Sequence, residues 1–166
     1  MYPAAVLKPR SRYQVDLSAL MATCETNYWR LRKLLLPAFP ELMLGQKFYF
    51  SIPAGAKHPE RTLLLQVVES SVYTSTLEFS EISVGELAGR EWGLSPRLTI
   101  RIYHDAKTSE VTGFQGQRHF LGRYEYPNPL MRARDEKWQL NSLLADWLNH
   151  CLHYGYCPVL TGDRAR

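Results

Sequence analysis

The hydrophobic period of this chain changes at Gln46, and that change restricts the fold more than any single residue does. Before it, Leu17, Leu20, Met21, Cys24, Tyr28, Leu31 and Leu35 recur at three- and four-residue spacing, which places them on one side of a helix. Asp16 or Ser18 is suited to cap that helix, and Pro37 and Pro40 stop it. After it, Phe48, Phe50 and Ile52 alternate with Lys47, Tyr49 and Ser51, the period of a half-buried strand.

A polar loop over residues 53–61 leads to two runs rich in β-branched and aromatic residues, 62–70 and 72–82, with Ser70-Ser71 as the bend between them. Residues 83–96 hold Gly85, Gly89, Gly93 and Pro96 and form a long connection. The clearest strand follows, where Leu98, Ile100 and Ile102 alternate with Arg97, Thr99, Arg101 and Tyr103. Two more strands are expected at 108–114 and 118–126, joined by the turn Gln115-Gly116-Gln117. Asn128 and Pro129 are then placed to open a last helix, because an asparagine oxygen accepts a free N–H of the first turn and proline needs no donor there. Leu140, Leu143, Leu144, Trp147, Cys151 and Tyr154 make its apolar stripe, and Gly155 and Pro158 end it.

A helix, about six consecutive strands and a second helix predict an α+β fold. The expected architecture is a mainly antiparallel, curved sheet with both helices packed on one face. At 166 residues and 45% hydrophobic content the chain suits one domain, 1–166, with 1–13 and 158–166 loosely held. A formal charge of +4 permits contact with phosphates without requiring it. The basic residues are scattered apart from Lys8, Arg10 and Arg12 and from Arg30, Arg32 and Lys33, so no stripe of the kind a nucleic-acid groove shows is present. Cys24, Cys151 and Cys157 include no C-x-x-C pair, which argues against a disulfide framework and for a reducing, cytoplasmic setting. No run approaches the roughly 18 apolar residues of a membrane span.

Candidate chemistry gathers near the last helix. Traced back from Leu140, its apolar stripe reaches Glu136, where an unpaired carboxylate would be costly. Arg101 and Arg123 lie on neighbouring strands and offer planar forks that match a carboxylate. Glu136 or Asp135 is therefore expected to pair with one of them, as a tie between helix and sheet or as part of a polar pocket. His104 shares the face of Ile100 and Ile102 and reads as a buried, hydrogen-bonded histidine; Asp105 reads as a turn former. Tyr103, Tyr124 and Tyr126 with the two arginines would suit base stacking, but aromatic strands more often serve packing. His150, Cys151, His153 and Cys157 lack a recognised metal spacing. No nucleophile elbow, phosphate loop or H-E-x-x-H helix is present.

Several local patterns resemble the YqiB-like proteins, small bacterial proteins grouped as a domain of unknown function. They are Val68-Glu69-Ser70 with Tyr73-Thr74, Arg101-Ile102-Tyr103-His104-Asp105-Ala106, Glu110-Val111, Arg123-Tyr124-Glu125-Tyr126-Pro127-Asn128, Asp135-Glu136-Lys137 and Leu144-Ala145-Asp146-Trp147-Leu148. The resemblance spans roughly residues 16 to 155 and implies no catalytic residues; residues 53–61 and the Cys157 tail look peculiar to this chain.

The leading expectation is a cytoplasmic, non-catalytic ligand-binding or regulatory protein without a cofactor or metal. Its site would draw on Arg101, Tyr103, Arg123, Tyr126, Asp135 and Glu136, and its partner would be a protein or a small anionic ligand. The alternative is an enzyme acting on a small phosphorylated or nucleotide-like substrate, with Asp105, Glu110 or Glu136 as acid or base.

Overall fold

A computed structural model gives the structure of the chain and describes residues 16–36, 38–54, 60–82, 97–115, 117–118 and 135–155. Helix α1 spans Leu17–Leu34, and the strands are β1 (Lys47–Ile52), β2 (Arg61–Ser70), β3 (Thr74–Ile82), β4 (Arg97–Tyr103), β5 (Thr108–Phe114) and β6 (Gln117–Arg118). Helix α2 spans Glu136–Tyr154. Asp16 caps α1 by accepting from the Ala19 N–H at 3.0 Å. The helix that carries the second apolar stripe is described from Glu136, with Asp135 at its N-cap position. Asn128, Pro129 and positions 119–126 of the expected last strand lie outside the described residues.

The six strands form one antiparallel sheet in sequence order, each paired to the next. The β2–β3 hairpin closes through the Ser71 N–H to the Thr74 oxygen at 2.8 Å, so the turn lies slightly beyond Ser70-Ser71. Gly45, with φ of +80°, turns the chain into β1 and donates to the Val67 oxygen, a conformation that costs glycine little.

Register decides which side is covered. Phe48 stands opposite Leu65, Leu65 opposite Phe79, Phe79 opposite Leu98 and Leu77 opposite Ile100, so these buried residues share a face. A bulge between Thr99 and Ile100 restores Val111 to that same face opposite Ile100. Leu31, Leu144 and Leu148 from the helices complete the core. Removing such a side chain from water contributes about 1.5–3 kcal/mol each. Both helices contact β5 and each other, so they lie on this one face. The opposite face carries Tyr49, Gln66, Glu78, Thr99, Arg101, Tyr103 and Glu110 and is half-buried to exposed.

Candidate functional site

Two clusters of polar side chains meet on β5, one on each side of the sheet edge. On the outer face Arg101 stands directly opposite Glu110 in the β4–β5 ladder, and Tyr103 is its diagonal neighbour. The Tyr103 hydroxyl donates to Glu110 Oε1 at 2.9 Å, and Lys137 Nζ in the first turn of α2 reaches Glu110 Oε2 at 2.6 Å. One carboxylate therefore holds a phenol and an ammonium at once, with a guanidinium across the ladder. Arg101 Nε is buried and has no hydrogen-bond partner among the described residues. Burial first, and the bond and charge of Glu110 second, push the Tyr103 phenol above its ordinary 10.0.

A helix-to-sheet ion pair of the opposite polarity to the expected one is present, while a pairing of Glu136 or Asp135 with Arg123 falls on a residue outside the described ones. The carboxylate sits on the strand, as Glu110, and the cation on the helix, as Lys137. The buried positions of α2 are Leu140, Asn141, Leu144, Leu148 and Cys151, and stepping back four from Asn141 gives Lys137 and not Glu136. Glu136 is half-buried at the head of α2, and the Asp135 carboxylate accepts from Gln139 Nε2 at 2.8 Å. Arg101 and Tyr103 are brought together; Arg123 and Tyr126 lie outside the described residues.

The second cluster is buried and was not anticipated from the sequence. Asn141 Oδ1 accepts the Val111 N–H at 3.0 Å, and its Nδ2 donates to the Lys137 oxygen at 2.8 Å. Asn27 Nδ2 in α1 donates to the Asn141 main-chain oxygen at 3.0 Å. Arg30 then bonds Asn27 Oδ1 at 3.1 Å and Asn149 Oδ1 at 2.7 Å. Asn27 and Asn141 are fully buried, so this chain of amides stitches α1, α2 and the outer edge of β5. Cys24 Sγ lies 3.8 Å from Asn141 Oδ1, and burial, then the charge of Glu110, pushes its thiol up to about 11. The sequence signal was a polar residue inside each apolar stripe.

His104 behaves as its face predicts. Its Nε2 is 2.9 Å from Ser75 Oγ, and its ring packs edge-on against Phe39 and Tyr28. Burial lowers its pKa below 6.5 despite the neighbouring Asp105. Asp105 is exposed and accepts the Ala106 N–H at 2.8 Å, the arrangement of a turn former. Cys151 is buried and its thiol is pushed up to about 12, while the His150 and His153 rings both pack on Tyr154. At the far end of the sheet Met43, Leu44, Val72 and Tyr73 are exposed, Val72 by 83% at the tip of the β2–β3 hairpin. Among the described residues no helix is long and apolar enough to cross a membrane.

Comparison with known proteins finds relatives of this chain in sequence. The model of the family described as "Protein of unknown function (DUF1249)" matches residues 31–157. The chain is 37% identical over 148 residues to the "Uncharacterized protein YqiB" of Escherichia coli strain K12, covering 89% of this chain and 96% of that protein. Proteins of the same name from strains O6:H1 and O157:H7 match with the same identity and coverage. No solved structure gives a significant match.

Proposed function

This chain belongs to the DUF1249 family of proteins of unknown function, and on that premise we propose that it is a non-catalytic binding or regulatory protein of the cytoplasm. Its contact surface is the outer face of the sheet beside the head of α2. The observation that carries this reading is the unequal state of the charged groups there. Glu110 is occupied by Lys137 and Tyr103, whereas Arg101 keeps a buried Nε that finds no partner among the described residues. A guanidinium with one N–H left unpaired among the described residues, held beside an immobilised phenol, suits an anionic group on a small ligand or a partner protein. Arg123, Tyr126, Asp135 and Glu136 are the further residues of this proposed site. The unpaired thiols of Cys24 and Cys151 support the reducing compartment.

The test is capture from native lysate with mass spectrometry of co-purifying proteins and small molecules, run beside an Arg101→Ala, Arg123→Ala variant. Loss of one species from a variant that melts normally supports the site; identical profiles sink it. A second reading, a protein adaptor, is favoured by the exposed Val72 and Tyr73 at a hairpin tip, where polar residues are usual. A Val72→Ser, Tyr73→Ser variant that loses a protein partner while the arginine variant keeps it would select that reading instead.

A further inference from the structure

The alternation that buries the inner face of the sheet is broken at one end by charge. Arg61 pairs with Ile52 and Glu81 with Leu63 in the ladders, so both charged residues point to the covered face and not to the outer one. Such positions ordinarily hold apolar residues. Here the sheet extends past α2, and the gap between them is a cleft of about 260 Å³. Ile52 and Leu63 line it from the sheet and Trp147 from the helix, where the indole packs at 4.5 Å on Phe79. Among the described residues, Arg61, Glu81 and Asp146 supply its charges, and His150 also lines it.

The signs of those charges limit what can enter. Among the described lining residues two carboxylates face one guanidinium, although the whole chain carries +4. Arg61 is engaged by Glu81 at 3.6 Å. Asp146 is exposed on α2 and has no hydrogen bond or ion pair to another described residue. An anion would meet Glu81 and Asp146, and a bare hydrocarbon would strip water from three charges without replacing it. A cation attached to an apolar body meets neither difficulty, since carboxylates take the charge and an indole with aliphatic neighbours takes the rest. The volume lies just below the usual range of roughly 300–1,000 Å³ for drug-sized ligands, which restricts the body to one ring or a short chain.

We propose that this cleft binds a small organic cation, a primary amine or guanidinium on a single-ring or short hydrocarbon body. Asp146 and Glu81 hold the charge, and Trp147, Ile52 and Leu63 hold the body. The site is separate from the Arg101 surface and does not depend on its reading.

The test uses the full chain and phenethylamine as probe, with 3-phenylpropionate as its anionic counterpart, followed by NMR at the Trp147 indole N–H. Assignment of that signal comes from a Trp147→Phe variant. The expected result is saturable, millimolar binding of the amine and at least tenfold weaker binding of the acid. Asp146→Asn should weaken the amine at least tenfold without altering the melting temperature, Glu81→Gln should weaken it independently, and Arg101→Ala should leave it unchanged. Absence of a saturable shift, equal affinity for the two probes, or undiminished binding in both carboxylate variants overturns the proposal.

Discussion

Glu110 and Val111 are neighbours on β5, and α2 holds both of them, yet the two contacts belong to different physical settings. At Val111 a neutral main-chain N–H meets a side-chain amide in a fully buried position. At Glu110 a carboxylate meets an ammonium, each side chain keeping about a quarter of its surface in water, 24% and 28%. The helix reaches both with residues four apart, Asn141 and Lys137. Coulomb strength alone would rank the ion pair first. Solvent reverses that order, because water screens the exposed pair and cannot replace the buried hydrogen bond.

The largest effect should therefore come from the neutral contact. Asn141→Ala leaves the Val111 N–H buried without an acceptor and opens a small void, a loss of about 2–4 kcal/mol by denaturant unfolding. A loss below about 0.5 kcal/mol would mean that the edge amide finds another acceptor, and the comparison would break. The same variant should expose Cys24. In the wild-type fold its raised thiol pKa and burial predict negligible alkylation at neutral pH, and mapping of labelled peptides should show faster labelling in Asn141→Ala.

His104 asks whether burial sets the difference elsewhere in the fold. Its folded pKa is lowered by burial, so the unfolded chain binds the proton more readily. Stability from this group is complete above pH 6.5 and is lost as pH falls from there through the lowered folded value. Wild-type protein should lose stability over that window by less than the Asn141 effect, and His104→Asn should flatten the slope. An unchanged slope in the variant would assign the acid sensitivity to other groups.

How these contacts could be foreseen follows from their range. Strand boundaries at 97–103 and 108–114, and the shared face of His104, Ile100 and Ile102, were legible because alternation is a local property. The helix-to-sheet ion pair was legible only in kind. Tracing the stripe back from Leu140 led to Glu136, whereas the Lys137–Glu110 pair depends on which side of Asn141 faces β5, a tertiary fact. The Asn27–Asn141 link joins residues 114 positions apart. Each asparagine marked itself by interrupting an apolar stripe, but nothing local names the partner that makes its burial tolerable. The cleft at Trp147 was hidden for a related reason: alternation assigns Arg61 and Glu81 to the covered face, and only the position of α2 shows that among the described residues the cover stops short of them.

The smallest effect should come from the ionic contact. Glu110→Gln keeps the size of the side chain and an oxygen that the Tyr103 hydroxyl can still reach, while removing the charge that faces Lys137 and Arg101. Unfolding free energy at neutral pH should change by less than about 1 kcal/mol. The phenol is the more sensitive reporter. Its raised pKa combines burial, which the variant leaves in place, with the bond and charge of Glu110, which it weakens and removes, so the titration should move part of the way back toward 10.0. A phenol whose folded pKa is raised stabilises the fold below the unfolded value, and that contribution is lost as pH rises through the folded value. Glu110→Gln should therefore have the flatter alkaline limb. Tyrosinate absorbance of each protein, read against a Tyr103→Phe background, isolates this one group. Equal titration with and without the Glu110 charge would show that Tyr103 does not hold this carboxylate in solution, and the outer cluster would then reduce to the Lys137 pair.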